Sequence, residues 1–118
     1  MRTFYKKLVD AVSATTNPVS SAMLVENISN FSVTAVCSST ASGTAKLQVH
    51  NALSPAGDGS DLTSGEWVDM AGSSATVSST AQVWNVANSG YRWVRISYTN
   101  SSGTGNLTAY ATGKAATG

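Results

Sequence analysis

The clearest strand signal in the chain is the stretch Tyr91-Arg92-Trp93-Val94-Arg95-Ile96-Ser97-Tyr98-Thr99. β-branched and aromatic side chains dominate it, as they do on the surfaces of strands. Its alternate residues form two faces, with Val94, Ile96 and Tyr98 on one and Tyr91, Trp93 and Arg95 on the other. A polar, Gly-containing turn at 100–105 follows, and an alternating segment at 106–112 comes after it. This order predicts a hairpin of two antiparallel strands.

The same two-residue period recurs upstream of this stretch. Further strands are predicted at 22–27, 31–37, 45–49, 66–70, 75–79 and 82–86. Residues 38–44 have the composition of a hairpin loop, and the polar, Gly-rich segment 51–65 forms the longest loop. Trp84 is expected to be a large buried anchor. The pattern predicts an all-β protein, a β-sandwich or jelly-roll-like fold of about seven or eight antiparallel strands.

The first 20 residues fit this pattern less well. Phe4, Tyr5, Leu8, Val9 and Val12 have helical spacing, which is compatible with one short helix. The alternative is an extended arm that lies on a neighbouring subunit, and we favour it because Ser, Thr and Asn follow too soon for a stable helix. The predicted organisation is therefore an N-terminal arm or short helix at 1–20, a β-sandwich domain at 21–114 and a flexible tail at 115–118.

The composition indicates a protein that binds or assembles. The 118 residues suffice for one domain. Only 11% of them are charged, and 33 Ser and Thr residues supply polarity instead. Such a surface repels copies of itself weakly. A net charge of +1 gives no general attraction to nucleic acid or to an acidic membrane, so neither is expected as a partner. We find no signal peptide and no transmembrane stretch, and expect a soluble protein made in the cytosol.

Residue types that carry catalysis are sparse, and no enzyme activity and no cofactor are expected. His50 is the only histidine and Cys37 the only cysteine, so a structural zinc site lacks ligands. A nucleophilic pair of these two residues is possible, but a packed cysteine and a surface histidine is the simpler expectation. Asp58, Asp61 and Glu66 are weak candidates for calcium ligands, although loops of this composition are usually only solvated.

The aromatic residues offer either a sugar-binding face or core packing. The candidates are Trp67, Trp84, Trp93, Tyr91, Tyr98 and Tyr110. Trp84 and Trp67 are expected in the core. Trp93 lies beside Arg92 and Arg95, and Trp and Arg dominate interface hot spots. These three residues, together with Phe4 and Tyr5 of the predicted arm, are the interface candidates, although ordinary packing of Trp93 is the commoner outcome.

Several short segments occur in a familiar order: Thr44–Asn51, Glu66–Met70, Trp84–Val86, Tyr91–Thr99 and Ser102–Leu107. The chain resembles the small β-sandwich proteins that are encoded among the virion structural genes of bacteriophages. This resemblance implies a capsid, decoration, spike or tail component that forms a homo-oligomer and contacts other virion proteins. It also implies that the protein is located in the virion and is made in the cytoplasm of the host bacterium. It supplies no catalytic residues.

A second resemblance leads to another class of function. The segment Tyr91–Ile96 is also similar to a strand of discoidin-type, galactose-binding-like modules. Those modules are usually longer and are commonly secreted. This resemblance implies a glycan-binding jelly-roll module involved in attachment to a host surface glycan.

Overall fold

The structure, a computed structural model, describes residues 3–26, 28–54, 60–62, 66–87 and 90–115. Within these ranges nine strands form two antiparallel sheets that enclose a common apolar core. The strands are β1 (Thr3–Ser13), β2 (Met23–Leu24), β3 (Ile28–Cys37), β4 (Ser42–His50), β5 (Val68–Asp69), β6 (Ala75–Val77), β7 (Gln82–Val86), β8 (Trp93–Ser102) and β9 (Asn106–Ala115). A single 3₁₀ turn at Ala14–Thr16 follows β1. The predicted all-β sandwich is confirmed.

Four bent segments build the two sheets. The first sheet has the order β1-β9-β3-β7, and the second has the order β2-β8-β4-β5, with β6 also paired to β4. Each of these segments contributes one strand to the first sheet and one strand to the second, and the segments lie in the same order in both sheets. They are 3–24, 28–50, 75–86 and 93–115. Each segment therefore folds over from one sheet to the other.

The predicted hairpin of the two C-terminal strands is wrong. β8 lies in the second sheet and β9 in the first, so the turn between them crosses the sandwich. The turn between β3 and β4 crosses beside it. The Ser38 N–H donates to the Asn106 carbonyl (2.9 Å) and the Thr40 N–H to the Thr104 carbonyl (3.1 Å). Alternation specifies the face of each side chain, but it does not specify which strand is the neighbour.

The N-terminal segment is neither a helix nor an arm on another subunit. It forms β1, an edge strand of the first sheet that pairs with β9. The register shifts between Lys7 and Val9 and again between Val9 and Val12, and Ala11 has a φ of 51°. These bulges place Leu8 and Val9 in the core as consecutive residues. The bulges interrupt the two-residue period of the strand, and this interruption explains why the apolar residues of the segment have helix-like spacing. The sandwich therefore begins at β1 and not at residue 21.

The core lies between the two sheets and contains one of the two faces that alternation defines on β8. Val94, Ile96 and Tyr98 of β8 are buried, as are the inward residues of β3 and β4. Trp84 is buried, and its indole Nε1–H donates to the Ser73 carbonyl (2.6 Å), which confirms the predicted anchor. At the C-terminus, Ala115 ends β9 as part of the sheet, and the remainder of the predicted tail, 116–118, lies outside the described residues.

Candidate binding surface on the second sheet

A ladder of polar side chains crosses the outer face of the second sheet. The register places Gln48 of β4 opposite both Arg95 of β8 and Asp69 of β5. The Arg95 Nε–H donates to Gln48 Oε1 (2.7 Å), and Gln48 Nε2 donates to Asp69 Oδ1 (2.9 Å). Lys46 Nζ forms an ion pair with Asp69 Oδ2 (2.8 Å). Three strands thus hold these four side chains in a continuous hydrogen-bonded row.

The acidic end of this row is neutralised by its own neighbours. The hydrogen bond from Lys46 lowers the pKa of Asp69, and the hydrogen bond from Gln48 lowers it further. Asp69 therefore remains ionised near neutral pH, and its negative charge neutralises the positive charge of Lys46. Arg95 interacts with Asp69 only through the neutral amide of Gln48, so its own positive charge is not cancelled.

Arg95 is held against an aromatic ring. Its guanidinium carbon lies 4.3 Å from the centroid of the Trp67 ring, a cation–π contact. Burial lowers the pKa of Arg95, because the protein removes water from the cation. Trp67 is half-buried on this outer face, so the expectation that it belongs to the core is wrong. The ring instead fixes the guanidinium in place.

His50 lies beneath the same surface. Its ring centroid is 5.2 Å from that of Trp67, with the planes at 71°. Its Nδ1 accepts the Ala52 N–H (3.1 Å), which assigns the proton of the neutral ring to Nε2. His50 is only 4% exposed, and Nε2 has no partner among the described residues. The predicted surface histidine is therefore buried, because the chain after β4 folds back over the sheet.

Trp93 is covered by the same segment. It is the cross-strand neighbour of His50, and its indole Nε1–H donates to the Ala52 carbonyl (3.2 Å). The side chain is 3% exposed although it points to the outer face of β8. The structure thus places this interface candidate inside the subunit, where little of its ring is available to a partner.

A cavity of about 390 Å³ lies beside the Arg95–Trp67 pair. Its lining combines two cationic side chains with hydroxyl and apolar groups: Lys6, Ser20, Ser21, Ala22, Ser60, Leu62, Trp67 and Arg95. Lys6 comes from β1 of the first sheet and Arg95 from β8 of the second. The cavity therefore exists only because the two sheets pack together.

The remaining interface candidates have different surroundings. Arg92 forms an ion pair with Glu26, and its backbone N–H and Nε–H donate to Asn51 (3.0 and 3.1 Å), so it ties three loops together. Tyr5 is 63% exposed on the first sheet, with its ring centroid 6.0 Å from that of Tyr110. Phe4 lies in β1 opposite Gly113. The placement of these residues in an interface stays a prediction.

The first sheet carries a larger but less charged depression, of about 550 Å³. Its lining is mainly amide, hydroxyl and apolar, with Lys114 as its one cation: Tyr5, Asn30, Phe31, Ser32, Asn85, Val86, Ala87, Thr112, Gly113 and Lys114. The smaller cavity has the stronger electrostatic character for binding a ligand, because it concentrates two cations.

In the part of the chain that the structure describes, the candidate calcium ligands and the candidate nucleophilic pair do not come together to form a site. No group of three His, Cys, Asp or Glu side chains is placed there to hold a metal ion. Asp61 accepts a hydrogen bond from Ser54, Glu66 is exposed, and Asp58 lies outside the described residues. Cys37 points into the core, where its Sγ is 3.5 Å from the Tyr98 hydroxyl, whereas His50 points to the opposite face of the second sheet.

Two residues of this surface are not predicted by the sequence: Lys6, which lines the cavity, and Gln48, which lies in the hydrogen-bonded row. The local sequence around Lys6 does not indicate how β1 pairs, and Gln48 has the pattern of any polar residue in an alternating strand. A signal for Gln48 does exist, since it lies between Lys46 and His50 on the polar face of β4. No comparable local signal identifies Lys6.

The described residues include no helix long and apolar enough to cross a membrane. No protein-family model matches the sequence, and no curated protein matches it significantly.

The crystal structure of the SPBc2 prophage-derived protein YomS is similar, with a TM-score of 0.59 and 15% identity over 96% of this chain and 95% of that one. A chain in the structure of the infectious bursal disease virus Gx strain gives a TM-score of 0.47 and 10% identity. That match covers 99% of this chain but only 32% of the viral chain and is too weak to carry an argument. The chain therefore shares its fold, over nearly the full length of both proteins, with a prophage-derived protein.

Proposed function

We propose that this chain is a structural protein of a bacteriophage particle, which assembles with copies of itself as a capsid, decoration, spike or tail component. The observation that carries the proposal is the fold shared with YomS, a prophage-derived protein, across 96% of this chain and 95% of that one. The low proportion of charged residues, 11%, supports a surface that packs against copies of itself.

The outer face of the first sheet is the proposed assembly face. Two cross-strand rows form it, namely Lys7, Tyr110, Thr34 and Val83, and Tyr5, Thr112, Ser32 and Asn85. Val83 is 48% exposed. These two rows contain no carboxylate, and five of their seven polar side chains carry a hydroxyl group. Such a face costs little to desolvate, because few charges lose water when it is covered.

The assembly proposal is tested by replacing Val83 with lysine. We expect the wild-type protein to have a mass that is a multiple of the 12.1 kDa monomer, and Val83→Lys to shift it to the monomer, because a charge would be buried without a partner. Light scattering behind a sizing column measures both. Val68→Lys is the matched control, since Val68 is 62% exposed on the second sheet. A wild-type protein that stays monomeric, or a Val83→Lys variant that assembles normally, would contradict the proposal.

A further inference from the structure

Three basic residues in the described part of the chain have no carboxylate partner. The ion pairs Lys7–Asp10, Lys46–Asp69 and Arg92–Glu26 account for the other described cations. The unpaired side chains are Lys6, Arg95 and Lys114. Two of these, Lys6 and Arg95, line the same cavity, while Lys114 lies on the first sheet. Unpaired cations that share a partly enclosed space repel each other, so their juxtaposition favours an anion between them.

Arg95 is held in position with part of its donor capacity unused. Its Nε–H donates to Gln48, and its plane is supported by Trp67. No hydrogen bond from the described residues uses its two terminal amino groups, Nη1 and Nη2. A guanidinium presents these donors in a fixed fork that matches the oxygens of a carboxylate or a phosphate. Because two contacts already restrain the side chain, little additional entropy is lost when an oxyanion binds.

Lys6 supplies a second charge from the opposite side of the sandwich. Its Nζ donates to the Ala22 carbonyl (2.5 Å), and an ammonium group has three donors in total. Two N–H groups thus remain after the bond that positions it. The Ser20 hydroxyl is already used, since it donates to the Ser21 carbonyl and accepts the Ile96 N–H. The charged contacts of a ligand therefore fall to Lys6 and Arg95.

We propose that this cavity binds an acidic saccharide, with its carboxylate or phosphate group held by Arg95 and Lys6. A volume of about 390 Å³ exceeds the need of a bare oxyanion and lies within the range of small-molecule sites, roughly 300–1,000 Å³. The rest of the lining mixes serine residues with Ala22, Leu62 and Trp67, which suits a ring that has hydroxyl groups and apolar C–H faces. The inference is independent of the proposed assembly role.

The test is a calorimetric titration of the full chain with four probes: glucuronate, glucose 6-phosphate, glucose and inorganic phosphate. We expect the two acidic sugars to bind and glucose to bind at least about tenfold more weakly, because glucose cannot form the charge-assisted hydrogen bonds to Arg95 and Lys6. Arg95→Gln and Lys6→Gln should each weaken the binding of the acidic sugars by about tenfold or more. Lys114→Gln removes the same charge from the first sheet and should leave binding unchanged.

Each alternative outcome overturns a stated part of the proposal. Equal binding of glucose and glucuronate would exclude the oxyanion contact, and failure of both acidic sugars to bind would overturn the site. If inorganic phosphate binds as tightly as glucose 6-phosphate, the cavity recognises a bare anion and no saccharide. If Lys114→Gln weakens binding as much as Lys6→Gln, the attraction is non-specific. Circular dichroism of each variant separates lost binding from lost folding, and Lys6→Gln provides a result if Arg95→Gln does not fold.

Discussion

Among the residues whose burial the structure describes, Tyr98 is the largest side chain that is almost completely buried. Its hydroxyl donates to Asn100 Oδ1 (2.8 Å) and lies 3.5 Å from Cys37 Sγ. Burial raises the pKa of Tyr98 well above its usual range, because a phenolate in the core would lose its hydration. The contact with Cys37 raises this pKa further, since two neighbouring acids resist losing both protons. At the scale of the residue, a polar group in the core is tolerated because it stays neutral and hydrogen-bonded.

The raised pKa of Tyr98 predicts a loss of stability in alkali. A tyrosine in the unfolded chain ionises near pH 10, roughly its ordinary pKa, whereas Tyr98 in the fold keeps its proton. The stabilisation is thus fully present below about pH 10 and is lost as the pH rises toward the folded pKa. Tyr98→Phe should lower the free energy of unfolding by about 1 kcal/mol at neutral pH through the lost hydrogen bond. It should also flatten the decline in alkali.

Urea unfolding at a series of pH values from about 7 to 11 measures both effects. Tyr5→Phe is the control, because Tyr5 is exposed on the first sheet and its phenolate would remain hydrated. An alkaline decline that is equally steep in the wild type and in Tyr98→Phe would show that burial of Tyr98 is not its cause.

At the scale of the elements, the two adjacent turns hold the sandwich closed. The turn at Ser38–Ala41 and the turn at Gly103–Gly105 are joined by backbone hydrogen bonds and by contacts between the Thr40 hydroxyl and Thr104. Gly103 has a φ of 73°, and a Cβ atom there would collide with the backbone carbonyl of Thr40. The crossing thus needs both the left-handed backbone conformation and the absence of a side chain.

Gly103→Ala should therefore destabilise the fold strongly. The left-handed conformation alone costs a side chain about 1–2 kcal/mol, and the collision with Thr40 adds to this cost. We expect a loss of at least about 2 kcal/mol in the free energy of unfolding. Chemical denaturation measures this loss. Gly90→Ala is the matched control, since a Cβ atom at Gly90 meets no atom within 4 Å and the change should be nearly neutral. Equal effects of the two substitutions would refute this account of the turn.

At the scale of the whole molecule, the two outer faces have different chemistry. The face of the first sheet that we propose for assembly carries one charged residue in its two rows, Lys7, which is paired with Asp10, whereas the second sheet carries the row from Lys46 to Arg95 and borders the cavity. If each face has its proposed role, the two functions should be separable. We expect Val83→Lys to lose assembly but retain the wild-type affinity for glucuronate, and Lys6→Gln to do the reverse. Light scattering and calorimetry on the same two variants measure this. Loss of both properties in either variant would show that the faces are coupled.

The local sequence pattern is sufficient to predict where most strands lie and to separate the two faces of each strand. Alternation separates Val94, Ile96 and Tyr98 from Trp93 and Arg95 as two faces, and the size of Trp84 predicts a buried anchor, because both depend only on adjacent residues and on the period of a strand. The sequence also marks Arg95 as an interface candidate, because it lies beside Trp93 on the same face. The low charge that motivates the assembly proposal is likewise a property of the composition.

Strand partners, and the site built from them, depended on contacts far apart along the chain. β8 pairs with β4 and β2 rather than with β9, and bulges hid β1 from the two-residue period. His50 and Trp93 are buried because a later segment covers the outer face. Lys6 and Arg95 meet only because two sheets pack together. The physical reason is that side-chain alternation records which face of a strand is buried, whereas pairing and enclosure are set by packing between residues that are distant in sequence.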